Sequence, residues 1–253
     1  MNTYEDYFEF IAEKANSYKK LSVMIQLQRY KSDLEAKGHQ VYAIMLKGSQ
    51  NYNLHDSESD VDANAILIPS LSEIRHKKSY KYTYDTGEVI CHNIYSFADI
   101  VAKGNPQWIE VCNTPYHIGG SLELFKHFKV NPSALKGMVY EKVEAFDKLY
   151  PSRAHMIEKF GYDPKQLHHI IRLYHTLKGT LPYSIYTGAG REWMLGIKRG
   201  FLNKADAQIL MDKYIQKLLA IYESRKLAYS PQTVDYDAID KIVLNYYLTT
   251  LRP

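Results

Sequence analysis

Residues 48–62, with the sequence GSQNYNLHDSESDVD, decide the fold of this chain. A short apolar run covers 41–46, and a second strand-like segment covers 60–68. Apolar runs of this length, bounded by polar turns, are typical of buried strands. Because alternate residues of a strand face the same side, Asp60 and Asp62 are expected to point their carboxylates in one direction. The stretch predicts two strands joined by a polar turn, with a pair of acids where the second strand begins.

The polar residues of this stretch indicate phosphate and metal chemistry. Gly48 lets the backbone turn tightly and approach a ligand, and Ser49 is expected to begin a short helix whose N-terminus attracts phosphate. Two neighbouring carboxylates, Asp60 and Asp62, supply the oxygen ligands that Mg²⁺ uses when it also binds phosphate. A Gly-Ser turn alone, or an Asp-x-Asp pair alone, is also typical of a solvated strand edge. Their combination between two apolar strands favours the functional interpretation.

Composition indicates an ordinary soluble globular protein. The 253 residues are 45% hydrophobic and 24% charged, and no apolar run is long enough to cross a membrane. The first residues carry acids where an export signal carries bases, and two cysteines are too few for a disulfide framework. We therefore expect a cytoplasmic protein with no membrane partner.

Charge divides the chain into two parts. Residues 1–125 carry 12 basic and 16 acidic side chains, and residues 126–253 carry 20 and 12. This division fits a metal-bearing module followed by an anion-binding one, although chance scatter of surface charges explains it equally well. We expect an α+β fold in which a small mixed β-sheet module with flanking helices, over 1–118, precedes a C-terminal helical bundle over 119–253.

Capping and turn residues predict where the other elements begin. The first forty residues predict two helices, the second over 22–36, and residues 81–95 predict a hairpin that turns at Asp-Thr-Gly. Ser96, Asn105 and Asn203 each precede a helical pattern and are expected to cap a helix.

Taken together, these motifs resemble the signature of the DNA polymerase β-like nucleotidyltransferase superfamily. That signature is a Gly-Ser turn followed by Ser-Asp-x-Asp and an apolar strand, here at 48–49 and 59–62. The segments YSF at 95–97, KGNPQWIE at 103–110 and LHHIIRL at 167–173 resemble its uncharacterised bacterial and phage branch. The resemblance covers most of residues 40–200 and is specific to the superfamily, not to a substrate.

This resemblance implies a reaction and a set of site residues. A nucleoside monophosphate would pass from a nucleoside triphosphate such as ATP to an acceptor hydroxyl, with Mg²⁺ or Mn²⁺ as cofactor. Asp60 and Asp62 would hold the metal ions. The residues expected to bind the nucleotide here are Lys47, Gly48, Ser49, Tyr52 and Ser59. The acceptor stays open between an RNA or tRNA end, a protein hydroxyl and a small molecule.

The resemblance also implies a third acid, on a later strand, that would complete the site and deprotonate the acceptor. The chain departs from the family pattern at this acid. The strand expected to carry it, over 87–95, contains no Asp, and the family's Asp would fall at or next to Cys91. Glu88, Cys91 and His92 are the candidates to replace it. If none of them does, the alternative is a catalytically impaired nucleotide-binding or regulatory protein of the same fold.

The basic half contributes a second group of candidates. His168, Arg172 and His175 recur at helical spacing on the helix expected over 165–178, so they share a face. That face would grip the triphosphate or an acceptor phosphate, or it is a solvated polar face. A third hypothesis, nucleic-acid binding through the basic half, predicts an affinity that falls steeply with salt.

Overall fold

The structure is a computed structural model of the chain. Its described residues are 4–56, 59–70, 72–74, 79–151, 153–178 and 185–250, with side chains described from residue 20 onward.

The described residues form ten helices and five strands. The helices are α1 (Tyr4–Ala36), α2 (Ile94–Ala102), α3 (Pro106–Cys112), α4 (Glu123–Lys126), α5 (Pro132–Glu144), α6 (Ala154–Phe160), α7 (Pro164–Lys178), α8 (Gly188–Lys198), α9 (Lys204–Lys226) and α10 (Tyr236–Thr250). The strands are β1 (Gln40–Leu46), β2 (Ala63–Ile68), β3 (Ser79–Tyr84), β4 (Gly87–Asn93) and β5 (His117–Gly119). None of the described helices combines the length and the apolarity that crossing a membrane requires.

The strands form one mixed sheet in the order β3-β4-β2-β1-β5. β2 and β4 run parallel, with Ala63 opposite Val89, and the other neighbouring strands run antiparallel. Helix α1 packs on one face of the sheet, and α2, α3 and α10 pack on the other. This arrangement, with the helices that follow, confirms the expected α+β class.

The remaining helices build a second core. Apolar side chains of α5, α7, α8 and α9 pack together, and Tyr52 and Leu54 from the polar turn join them. Helix α10 instead returns to the sheet and contributes Ile239 and Val243 to the core beside α2. The division of the chain at 118–119 stays a prediction.

Hydrogen bonds that end on backbone carbonyls tie the polar turn to the helical part. The amide of Tyr186 donates to Tyr52 O at 3.1 Å, and Asn53 Nδ2 donates to Tyr186 O at 2.8 Å. Arg191 Nε and Nη2 donate to the carbonyls of Asn53 and His55, each at 2.9 Å. We call these contacts the 52–55 clamp.

Several element boundaries differ from the sequence predictions. The first helix is continuous over Tyr4–Ala36, because no glycine or proline lies within it to separate two helices. Strand β2 begins at Ala63 rather than at residue 60, and the Asp62 side chain there accepts the backbone N–H of Glu88. Helix α2 is capped by Asn93 and not by Ser96, whose amide donates to Asn93 Oδ1 at 2.9 Å.

Two of the predicted caps are confirmed. Asn105 Oδ1 accepts the amide of Gln107 at the start of α3, and Asn203 Oδ1 accepts the amide of Asp206 at the start of α9. Both cap residues have extended backbone angles, which is the usual conformation of a capping asparagine.

Candidate functional site

The turn after β1 is a run of tight bends and not the short helix expected from the sequence. Asn51 N donates to Gly48 O and Tyr52 N to Ser49 O, at 3.1 and 3.3 Å. Gly48 has φ of +78°, a conformation that only glycine adopts at little cost. Within the described part of the chain, the backbone amides of residues 48–50 donate to no acceptor. Consecutive unpaired amides in a turn form a concave site for anions, so this turn can receive a phosphate.

Asp62 lies directly against this turn. A Cβ placed on Gly48 would lie 3.4 Å from Asp62 Oδ2, and the amide of Lys47 donates to the carbonyl of Asp62 at 2.9 Å. Burial raises the pKa of the Asp62 carboxyl, and the N–H of Glu88, which donates to Oδ1 at 3.1 Å, partly offsets the rise. The structure thus brings Asp62, one of the two acids singled out from the sequence, against the Gly-Ser turn.

Asp60 and Glu88 flank Asp62. Asp60 is exposed, and its negative charge contributes to the raised pKa of Asp62. Glu88 accepts hydrogen bonds from Lys81 Nζ at 2.6 Å and from Lys47 Nζ at 2.9 Å. Both contacts lower the pKa of its carboxyl, and the contact with Lys81 has the larger effect. Glu88 is thus held between two lysines, whereas Asp60 and Asp62 form no ion pair with any described residue.

A cavity of about 290 Å³ opens next to Asp62, between β2 and β4 on one side and α3 and α7 on the other. We call it the central cavity. Its lining residues are Lys47, Gly48, Tyr52, Asp62, Asn64, Ile90, Gln107, Trp108, Val111, His169 and Arg172. The cavity therefore joins the Gly48 turn and the Asp62 carboxylate to the helical part of the chain.

The cavity-facing neighbour of Asn64 on β4 is Ile90. The parallel register pairs these two residues, so their side chains share a face of the sheet. Ile90 directly precedes Cys91, where the family's third Asp was expected. An apolar side chain thus occupies that part of the cavity wall, and alternation along the strand was the signal that could have selected this position.

The other two candidates from β4 lie elsewhere. Cys91 is fully buried on the opposite face of the sheet, among the α1 side chains Leu27 and Tyr30, and burial raises the pKa of its thiol to about 12. It does not reach the central cavity. His92 packs edge to face with Trp108, at a centroid distance of 5.3 Å, and its Nε2 has no partner among the described residues. Burial, then the charge of Lys47, lowers the pKa of its imidazole.

A buried ion pair joins α3 to α7 behind the cavity. Arg172 Nη1 donates to both carboxylate oxygens of Glu110, at 2.6 and 2.7 Å, and both side chains are almost completely buried. Tyr52 Oη and Thr176 Oγ1 also donate to Glu110, at 2.8 and 2.9 Å. The guanidinium lies 4.0 Å from the centre of the Tyr52 ring. Burial opposes the charge of Arg172, but the Glu110 carboxylate outweighs it and raises the pKa of the guanidinium.

The expected His168, Arg172 and His175 face is therefore not one phosphate-binding surface. Arg172 reaches the cavity wall already paired with Glu110. His168 is buried, and burial followed by neighbouring cations lowers the pKa of its imidazole to about 3. His175 Nδ1 lies 3.0 Å from Tyr186 Oη, away from the cavity lining. The residue of α7 that lines the cavity beside Arg172 is His169, which the sequence interpretation left out.

Two lysines of the helical part, Lys165 and Lys198, lie near acids of the segment 56–62; the sequence had already suggested that Lys198 could join the basic surface. Lys198 Nζ lies 3.2 Å from Asp56 Oδ2 and 3.4 Å from Ser59 Oγ. Ser59 Oγ also donates to Asp56 Oδ1 at 2.7 Å, so its hydroxyl organises the loop. Burial, then the charge of Arg153, lowers the pKa of Lys165, and the nearby Asp62 carboxylate partly restores it. These cations lie on the helical side of the Gly48 turn.

The donor set near Asp62 fits a divalent cation that keeps other ligands. The half-buried carboxylate of Asp62 lacks an ion pair, and the carboxylate of Asp60 is close enough to influence it. Two oxygen ligands suit Mg²⁺ when water and phosphate complete its shell. No group of three or more His, Cys, Asp and Glu side chains within the described residues is arranged to enclose a metal. The residues therefore fit an ion that arrives with phosphate.

Comparisons with known proteins add little to this description. No family model matches the chain, and no curated protein matches it. A solved structure of a nucleotidyltransferase-like protein from Exiguobacterium sibiricum 255-15 is 14% identical, over 79% of this chain and 74% of that one, with a TM-score of 0.25. Similarity at this level carries no argument, so the functional argument rests on the site.

Proposed function

We propose that the protein is a metal-dependent nucleotidyltransferase, which moves a nucleoside monophosphate from a nucleoside triphosphate to an acceptor hydroxyl. The observation that carries this proposal is the Asp62 carboxylate, half-buried and without an ion pair, against the unpaired amides of the Gly48 turn. An anion site beside a carboxylate suits a phosphate chain that brings its own metal ion. The sequence resemblance to the polymerase β-like superfamily supports the same reaction.

Each group at this site has a part in the proposed reaction. Asp60 and Asp62 would hold Mg²⁺ or Mn²⁺, which neutralises charge on the phosphates and on the leaving pyrophosphate. The amides of residues 48–50 would bind the terminal phosphates, with Lys165 and Lys198 as nearby cations. Most of the rate enhancement in such a reaction comes from positioning and charge stabilisation, which these fixed groups provide.

Loss of the metal-binding carboxylate tests the proposal. Each nucleoside triphosphate, labelled at the γ-phosphate, is incubated with Mg²⁺ or Mn²⁺, and both the release of labelled pyrophosphate and the binding of the nucleotide are measured. Asp62→Asn is expected to weaken metal-dependent triphosphate binding at least about tenfold. Asp85→Asn, at an exposed acid in the β3–β4 turn, is the matched control and should bind normally. Undiminished binding and turnover by Asp62→Asn would refute the proposal.

A second candidate function is a nucleotide-binding protein that does not turn over. Ile90 favours it, because an apolar side chain lies in the cavity wall where a third carboxylate would activate the acceptor. Metal-dependent binding without pyrophosphate release would support this alternative. Ile90→Asp is the sharper test, since a gain of pyrophosphate release identifies an inactivated transferase site, whereas Ile90→Asn controls for polarity without charge.

A further inference from the structure

The central cavity is lined mainly by flat and apolar groups. The indole of Trp108, the ring of Tyr52 and the side chains of Ile90 and Val111 supply most of its exposed surface. The polar side chains that line it are Lys47, Asp62, Asn64, Gln107, His169 and Arg172. Its volume of about 290 Å³ lies at the lower end of the range for small-molecule pockets, which is about 300–1,000 Å³. The cavity therefore suits one compact planar group and not an extended chain.

The charges around the cavity cancel, which disfavours a phosphate inside it. Lys47 is paired with Glu88, and Arg172 with Glu110. The second lysine on Glu88, Lys81, is exposed and is not among the residues that line the cavity. Among the described lining residues no cation is left uncompensated, so the interior favours a neutral group, while phosphates belong at the Gly48 turn.

Two polar atoms at the cavity wall are buried without partners. They are Asn64 Oδ1 and His169 Nδ1, and neither has a hydrogen bond within the described structure. Buried polar atoms are nearly always paired, so such exceptions call for an explanation. Burial holds the pKa of His169 well below its usual value, which keeps the ring neutral, with one nitrogen as donor and the other as acceptor. An amide and a neutral imidazole together can recognise the edge of a heterocycle.

We propose that the central cavity receives the nucleobase of the bound nucleotide, with its face against Trp108 and its edge recognised by Asn64 and His169. This inference rests on the proposed function, since it places the triphosphate at the Gly48 turn and the base deeper, beyond Asp62. The occupant's chemistry is a neutral planar heterocycle whose ring atoms donate and accept hydrogen bonds. Ile90, in place of a third acid, contributes an apolar surface to the same wall.

Tryptophan fluorescence tests the proposal without altering the cavity. Trp193→Phe leaves Trp108 as the single tryptophan, because the chain has only two. This variant is titrated with each nucleoside triphosphate and with inorganic tripolyphosphate, all with Mg²⁺. The triphosphates are expected to quench Trp108 saturably, and tripolyphosphate to bind without quenching. An identical response to both kinds of ligand would overturn the proposal.

A second variant separates recognition of the base from binding of the phosphates. Asn64→Leu, of similar size, should weaken binding of the preferred nucleoside triphosphate about tenfold, the loss expected for one hydrogen bond. Its affinity for tripolyphosphate should not change. A merely structural role for Asn64 would lower both affinities together, and that result would contradict the assignment.

The two proposals fail in different ways. If the base proposal is wrong, Asp62→Asn still weakens metal-dependent binding at least about tenfold, while nucleotides and tripolyphosphate remain indistinguishable. If the transferase proposal is wrong, Asp62→Asn binds metal and triphosphate normally. Nucleosides without phosphate, titrated at millimolar concentration against Asp62→Asn in the Trp193→Phe background, should then still quench Trp108. Absence of that quenching would remove the base proposal as well.

Discussion

The two faces of strands β2 and β4 differ in chemistry although the same residues, taken alternately, form both. The face toward α1 carries Ala63, Ala65, Val89 and Cys91, all completely buried. The opposite face carries the buried Ile66 together with Asn64, Ile90 and His92, and the side chains of Asn64 and His92 have buried atoms without partners among the described residues. Both faces therefore contribute to a core, but the second also presents Asn64 Oδ1 at the cavity as an unsatisfied group that a ligand can use.

The largest loss of stability is expected from placing a charge on the face of the sheet that packs on α1. Ala65→Asp would bury a carboxylate among apolar side chains, where no described cation pairs with it. We expect a loss of more than about 4 kcal/mol in the free energy of unfolding. Asn64→Ala, one residue away on the cavity face, should cost less than about 1 kcal/mol because its Oδ1 has no partner to lose. Equal losses in urea unfolding would contradict the difference between the faces.

The second-largest loss of stability is expected from breaking the buried ion pair behind the cavity. Arg172→Leu leaves Glu110 buried without its cation, which costs about 3–5 kcal/mol. The double variant Arg172→Leu with Glu110→Leu removes both charges and should recover part of that loss. Urea unfolding of the two single variants and the double variant measures the coupling, and strictly additive losses would show that the pair is not coupled.

A substitution in the Gly48 turn should cause a smaller loss of stability. Gly48→Ala puts a side chain on a residue with φ of +78°, which costs about 1–2 kcal/mol. Gly137→Ala is the control, because this exposed helical glycine of α5 has open space around its Cβ position and should gain about 0.5–1 kcal/mol. Thermal melting distinguishes the two, and a change of the same sign in both would contradict the prediction.

The smallest effect is expected at Asp62, where a substitution should raise the free energy of unfolding and not lower it. Burial raises the pKa of Asp62, so the folded state holds its proton more tightly, and ionising this group destabilises the fold as the pH rises above about 3.8. Asp62→Asn should therefore be about 0.5 kcal/mol more stable than the native chain at pH 7, a figure reduced for solvent screening of the partly exposed carboxyl. Urea midpoints at pH 4 and pH 7 should show an advantage only at the higher pH. A variant less stable at pH 7 would show that Asp62 serves the fold.

Local patterns were sufficient for the parts of the fold that depend on near neighbours. The strand, the Gly-Ser turn, the following strand and the caps at Asn105 and Asn203 each follow from a few adjacent residues. The position of Asp62 against the turn also follows, because the antiparallel pairing of β1 and β2 brings their ends together.

Contacts between distant segments were beyond the sequence. Glu110 and Arg172 lie 62 positions apart, and nothing near either residue indicates that one neutralises the other. The alternation along β4 was visible, but only the parallel register with β2 shows that Ile90 faces the cavity. The sequence suggested Lys198 as a residue of the basic surface, but its contact with Asp56 depends on the packing of α8, which local periodicity does not determine.

The 52–55 clamp has a consequence for cooperativity. Its hydrogen bonds run from the segment that carries the phosphate turn to Tyr186 and Arg191 of the helical part. Separating the two cores would expose Tyr52 and Leu54 and release these bonds together. We therefore expect a single melting transition for the whole chain, which any ligand held at the turn moves as one.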